Sequence, residues 1–296
     1  MKAAEPTRYP DTSSGQASAG DRWRALVLDR RGEMERLSPG LGTGARFWDS
    51  RARRYAARCP VEDAARDPLL RRLRRAGGRH GTFLDVGAGT GRFTLNLAAH
   101  RGRVTAVDPS PRMLRILRRQ AATRGLSDLI RPVLGRWEDV EVEPAHVAFS
   151  SYVLPAVEDA PLFLAKLSDH AWGEVFLYLG AFSMDAVLDP LWRYFHGAPR
   201  RPGPSYLDAV AVLHQLGLAP EVEVVELPNR TRFDTLAAAT REYADYLLLP
   251  NERALRRELQ GLLAGWLIKR EGRLAPPLRF VPAAIIRWEG TAGPEP

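Results

Sequence analysis

The chain has 296 residues, 45% of them hydrophobic and 26% charged, which suits one globular α/β domain with additions. No apolar run is long enough to span a membrane and MKAAEPTRYPDTSSGQ carries no signal-peptide core, so a cytoplasmic protein is expected. The single cysteine, Cys59, excludes an internal disulfide and a thiolate zinc cage, and it reads as a packed helix residue.

The formal net charge of +8 is localised. Residues 21–80 hold sixteen arginines against eight acids, whereas the remainder balances, and Lys2, Lys166 and Lys269 are the only lysines. A basic N-terminal element could meet an acidic partner or nucleic acid. The other reading, solvated helix faces in an arginine-biased composition, is preferred because no aromatic-interleaved single-strand platform accompanies the charge.

In chain order, residues 1–20 are rich in Ser, Gly, Pro and Ala and are expected to be disordered. A short helix over 21–37 surrounds Trp23, Leu26 and Val27, and SPGLGTG (38–44) is a linker; together, 1–44 form a flexible, partly helical arm. Trp48, Ala52, Tyr55, Ala56 and Cys59 share one helical face opposite arginines, and a second helix runs from Asp67 to Ala76 with Pro68 in its first turn. Strands follow at 82–88, 103–109, 129–135, 146–154 and 174–181, with helices after the first, second and fourth. This alternation implies a parallel sheet with helices on both faces. Helices are expected at 183–196, 205–216, 234–248 and 251–269, and strands at 221–227 and 279–289.

The segment FLDVGAGTGRFT (83–94) runs an apolar strand into Gly87, Gly89 and Gly91 and then into a helix. The glycines allow a sharp turn and close backbone approach to a ligand. A dinucleotide fingerprint would place its third glycine where Arg92 stands, and Asp85 would serve a pyrophosphate poorly, but an ammonium or sulfonium well. In VTAVDPSPRML (104–114), Asp108 ends the second strand 19 residues past Gly89, where a carboxylate accepts hydrogen bonds from ribose hydroxyls. The six histidines show no helical metal-ligand spacing, so no metal site is expected.

In LDVGAGTG, VTAVDPSPRML, GRWEDV and the strand ends SSYVL and FLYLG, the chain resembles the class I, Rossmann-like S-adenosylmethionine-dependent methyltransferases over about residues 45–180. The resemblance implies a seven-stranded, mostly parallel, three-layer sheet with an antiparallel last strand. It also implies a helical lid over 45–80 and an α/β domain over 81–290 with helical inserts at about 183–216 and 234–269. Asp85, Gly87, Ala88 and Gly89 would line the aminoacid part of the cofactor, Asp108 would hold the ribose, and Pro109 or Met113 would touch the adenine. Arg136 stands where that family usually has an acid, so Glu138 or Asp139 would meet the adenine amino group, with Trp137 against the ring or simply packed. Residues after the fourth strand lie beside the methyl group in that family, which singles out Ser150 and Tyr152, the latter to orient an acceptor. Tyr55 or Trp48 would face the sulfonium from the lid, and Arg51 or Arg54 would meet the cofactor carboxylate. His196, in the insert after the fifth strand, is a candidate general base.

The expected activity is in-line methyl transfer from S-adenosylmethionine, leaving S-adenosylhomocysteine, to a small-molecule acceptor enclosed by the inserts. No N-P-P-Y-like tetrapeptide follows the fourth strand, which weighs against nucleobase amines and protein glutamine as acceptors. An RNA methyltransferase using the arginine-rich region, and a protein using the cofactor for other chemistry or sensing, are the alternatives.

Overall fold

A computed structural model describes residues 17–40 and 44–293. The expected disorder of 1–20 falls largely outside those residues. Helix α1 (Ala19–Leu37) is longer than expected and closely docked. Ser18 and Asp21 form a capping box, and Trp23 is fully buried with its indole N–H donating to the Val157 carbonyl at 2.8 Å. One buried tryptophan at helical spacing from Val27 therefore fixes a segment whose composition is otherwise polar.

Helix α2 (Gly44–Arg58) and a short 3-10 turn lead into α3 (Pro68–Gly77), which Asp67 caps by accepting from the Leu69 N–H at 2.9 Å. The alternating region follows as β1 (Thr82–Val86), α4 (Thr94–Ala98), β2 (Arg103–Asp108), α5 (Pro111–Thr123), β3 (Ile130–Leu134), β4 (Val147–Ser151), α6 (Ala160–Ser168) and β5 (Glu174–Gly180). Next come α7 (Met184–His196), α8 (Tyr206–Gln215), β6 (Glu221–Pro228), α9 (Leu236–Tyr246) and α10 (Arg253–Trp266). The chain closes through a hairpin, β7 (Ile268–Arg270) with β8 (Arg273–Ala275), and the long strand β9 (Phe280–Glu289).

The seven-stranded sheet has the order β3-β2-β1-β4-β5-β9-β6. Its first five strands are parallel, and β9 runs antiparallel to both β5 and β6. The expected architecture is the one observed. Central strands buried on both faces read as continuous apolar runs, as VAF in β4 and VFLYL in β5 show. One face packs on α1, α6 and α8; the other packs on α3, whose Leu69, Leu70 and Leu73 meet Phe83, Phe149 and Phe176. Helices α7, α9 and α10 build a separate apolar cluster around Trp192, Tyr243 and Leu263.

The β7–β8 hairpin was not expected. The helix expected over 251–269 ends at Trp266, and Glu271 and Gly272 both take positive φ. These two residues turn the chain back in the form that two-residue hairpins favour.

Candidate active site

The glycine loop leaves the carboxyl end of β1 and folds back on β2, with the Gly87 and Ala88 N–H groups both donating to the Val107 carbonyl at 2.8 and 3.0 Å. Gly87 and Gly91 have φ of +81° and +89°. A Cβ at Gly87 would lie 2.1 Å from Val153 Cγ2, and one at Gly91 would lie 2.3 Å from Leu117 Cδ1. Gly89 differs: a built Cβ there would meet neither backbone nor core side chain and would touch only the Tyr55 ring, at 4.0 Å, in ordinary van der Waals contact. The seam between the loop and the Tyr55 ring that covers it is the candidate groove of the site.

Asp108 closes one end of the groove. Its two carboxylate oxygens accept from the N–H groups of Gly89 and Ser110, each at 2.8 Å, and the residue is only 7% exposed. Burial raises its pKa, and the two backbone donors oppose the rise. Each oxygen retains a lone pair for a further donor. Ser110 caps α5 by accepting from the Met113 N–H at 3.1 Å and donates its own hydroxyl to Asp49 of α2. Met113, Pro109 and Ala88 therefore sit around the same corner, Met113 almost wholly buried.

Asp85 lies beneath the loop, 2% exposed, and accepts from the Thr94 hydroxyl. Burial pushes its carboxyl up to about 7, against the Thr94 hydrogen bond and with a further upward push from Asp108. A buried carboxylate in this state gains most from a cation brought beside it.

At the ends of β4 and β5, Ser150 donates to the Val86 carbonyl at 2.9 Å, so its hydroxyl holds β4 to the exit of β1. Tyr152 takes a left-handed backbone, φ +59°, while its N–H donates to the Tyr178 carbonyl at 2.8 Å. Such a conformation costs a non-glycine residue about 1–2 kcal/mol and aims the ring out of the sheet top. The Tyr152 ring meets Tyr178 edge to face at 5.2 Å. Burial raises its phenol to about 12, with Arg92 opposing and Asp67 adding. Arg92 is itself tied to the buried Asp67 at 2.8 Å.

Helix α2 roofs the groove. Tyr55 points down on the glycine loop, its phenol raised to about 12 by burial and by nearby Cys59, against Arg92 and Arg58. Trp48 packs on Tyr55 edge to face at 5.7 Å. The other side of α2 is pinned to α9 by Arg54 with Asp245 at 2.7 Å and by Arg58 with Glu242. Between α2, the end of α1 and α9 lies a cavity of about 260 Å3. Tyr55 is shared between this cavity and the groove, so the two are neighbours across one ring.

Two expected residues, Trp137 and His196, have their polar atoms engaged away from the groove. Trp137 is buried beneath α6, its indole N–H donating to the Phe163 carbonyl at 3.2 Å and its ring facing the Lys166 ammonium at 4.9 Å, which fits packing and not an adenine contact. Glu138 pairs with Arg136 at 3.5 Å. His196 belongs to the insert cluster: its Nε2–H donates to the Leu247 carbonyl at 2.8 Å and its ring rests on Trp192 at 4.3 Å, which anchors the imidazole among the insert helices. Arg51 faces the cavity and stacks on Phe47 at 4.0 Å. Asp49, Thr94 and Ser110 were missed. Ser110 had a legible signal, since D-P-S-P places a capping hydroxyl just before a helix that starts with proline. Asp49 had none, because its partner is 61 residues away in sequence.

Among the described residues no group of three or more His, Cys, Asp or Glu side chains could hold a metal, and no helix is long and apolar enough to cross a membrane. A family described as "Methyltransferase domain" matches residues 83–170, the stretch that carries the glycine loop, Asp108 and Tyr152. No curated protein matches the sequence. Among solved structures, magnesium protoporphyrin IX methyltransferase from Synechocystis with bound S-adenosylhomocysteine is similar at 13% identity and TM-score 0.50, over 93% of this chain and 100% of that one. The YcgJ protein from Bacillus subtilis is similar at 16% identity and TM-score 0.51, over 76% and 98%. At such identities the likeness shows a shared fold.

Proposed function

We propose that the chain is a class I, S-adenosylmethionine-dependent methyltransferase that methylates a small-molecule acceptor held between α2 and the insert helices; the match of residues 83–170 to a methyltransferase domain supports this reading. The groove fits the cofactor by its chemistry. Asp108 offers unused lone pairs where ribose hydroxyls would donate, Gly89 puts no side chain between its backbone and the Tyr55 ring above it, and buried Asp85 favours a nearby cation. Tyr55 supplies a ring face over the same strip, which suits a sulfonium. When bound, S-adenosylmethionine supplies an electrophilic methyl group on a good leaving group.

The chain's own task is then alignment and water exclusion. Asp108 and the glycine loop fix one end of the groove, α2 covers it, and Tyr152 presents a phenol at its far edge. With a pKa of about 12 that phenol keeps its proton near neutral pH, so Tyr152 orients an acceptor by hydrogen bonding.

The observation that carries the small-molecule reading is the cavity of about 260 Å3 directly behind Tyr55, near the lower end of small-ligand sites. Magnesium protoporphyrin IX methyltransferase, similar in fold, also acts on a small molecule. The arginine-rich region gives the RNA reading little support. Arg24 and Arg31 pair with Glu158, Arg30 with Asp185, Arg54 with Asp245, Arg58 with Glu242 and Arg72 with Glu223, so part of its charge is matched within the chain. Turnover of S-adenosylmethionine to S-adenosylhomocysteine that depends on a pool of small metabolites, and not on RNA, is the expected result. Turnover only with RNA, or production of methylthioadenosine, would contradict the proposal.

A further inference from the structure

The cavity behind Tyr55 has a chemical character of its own. Phe47, Trp48 and Tyr246 give it flat apolar walls, whereas Arg51 and Arg200 give it positive charge. The acids on its wall, Asp245 and Glu242, are already engaged by Arg54 and Arg58. Arg200 is 9% exposed, sandwiched over Trp192 at 4.3 Å and Tyr246 at 4.8 Å, with one end nitrogen on Asp185 at 2.9 Å. Its Nε is buried without a hydrogen bond and stands 4.0 Å from the Glu33 carboxylate, so Arg200 is already charge-paired and serves as the rear wall of the cavity. Arg51 stacks on Phe47 and bonds only to the Ser50 hydroxyl at 3.2 Å, with no ion pair among the described residues. Burial lowers the Arg51 pKa, opposed by the nearby Asp245 carboxylate and assisted to a smaller extent by Arg54; Asp245 itself is ion-paired to Arg54, so the Arg51 charge is partly desolvated and has no direct ion pair.

We propose that this cavity takes an acceptor made of a flat aromatic or polyunsaturated body and an anionic group, the body between Phe47, Trp48 and Tyr246 and the anion against Arg51 with Arg200 behind it. The inference rests on the methyl-transfer reading for the word acceptor, but the binding chemistry of the cavity stands independently of it. A guanidinium that is partly stripped of water and unpaired is restored by an incoming carboxylate, sulfonate or phosphate, which a planar fork can meet with two hydrogen bonds. A neutral ligand of the same shape leaves that charge unmet, so discrimination should be large.

The test uses two fluorescent probes of equal ring system on the full-length chain: 8-anilinonaphthalene-1-sulfonate, and N-phenyl-1-naphthylamine, which lacks the sulfonate. Binding of S-adenosylhomocysteine is measured separately by calorimetry. Saturable binding of one sulfonate per chain, at least tenfold tighter than the neutral probe, is expected. Arg51→Gln should weaken the sulfonate at least tenfold and bring it level with the neutral probe, and Arg51→Lys should restore part of the difference. Arg51 is half-buried on α2, glutamine keeps helix propensity there, and thermal melting checks that the variant folds. Equal affinity for both probes, no saturable sulfonate binding, or an Arg51→Gln variant that loses S-adenosylhomocysteine affinity in place of sulfonate affinity would overturn the inference. If S-adenosylhomocysteine fails to bind while the charge discrimination holds, the methyl-transfer reading falls and the anion site remains.

Discussion

At the scale of single residues, Asp85 and Gly87 show how the site sets its own terms. The Asp85 carboxyl titrates near 7 in the fold against 3.8 for a free aspartate, so the folded state holds its proton more tightly. Stability contributed by this group is therefore greatest at low pH and falls as pH rises from 3.8 towards 7, by roughly 4 kcal/mol in the ligand-free chain. Asp85→Asn should unfold at higher urea than wild type at about pH 8 and show little difference at about pH 4. Wild type and variant equally stable at the higher pH would show that the charge is not penalised. By linkage, a cation bound beside Asp85 should release a proton, so cofactor affinity should rise between about pH 6 and about pH 8, and this rise should vanish in Asp85→Asn. Gly87→Ala meets both a positive φ and the Val153 side chain, and a loss of about 2–4 kcal/mol in denaturant unfolding is expected. Tyr152→Phe keeps the ring against Tyr178 and removes only the phenol oxygen. A fall in kcat of about tenfold or more with cofactor affinity intact is expected once an acceptor is known.

At the scale of elements, α2 is fastened chiefly by polar contacts. Ala52 is its one buried residue, and Asp49 to Ser110, Arg54 to Asp245 and Arg58 to Glu242 are its fastenings. A lid role for α2, proposed from its place over the glycine loop, predicts that weakening one fastening speeds ligand exchange. Asp49→Ala should therefore speed S-adenosylhomocysteine dissociation several-fold in stopped-flow displacement, while shifting global stability by no more than about 1 kcal/mol. An unchanged dissociation rate would argue that α2 stays closed throughout. The elements were also where the sequence read best. The β1 glycine loop, Asp108 and the two parallel units around them are local in sequence, so apolar runs and turn residues reveal them together. Trp137 and His196 misled for one reason: an aromatic or imidazole ring in a suggestive segment looks the same whether it faces a groove or a core. Only the tertiary partners, the Phe163 carbonyl for one and the Leu247 carbonyl for the other, decide it. The cavity was equally hidden, because it brings Arg51 together with Arg200, far apart in the chain.

At the scale of the whole molecule, the additions before and within the α/β domain converge on one side of the groove. Helix α1 docks through Trp23 on the sheet layer and reaches Met34 to the insert cluster, and α2 and α9 close the cavity between them. Trp23→Ala removes a fully buried indole and its hydrogen bond to Val157, so a loss of about 3–5 kcal/mol is expected in chemical unfolding. A loss under about 1 kcal/mol would mean that α1 is only loosely attached. The central claim is that the groove between Gly89, Asp108 and Tyr55 holds S-adenosylmethionine. The most direct test is calorimetry of S-adenosylmethionine and S-adenosylhomocysteine with wild type and with Asp108→Asn, which keeps the side chain's size and removes its charge. The account predicts one site per chain in wild type and an affinity lower by about 10- to 100-fold in the variant, from weakened charge-assisted hydrogen bonds. Equal affinity in both proteins, or no binding by well-folded wild type, would contradict it.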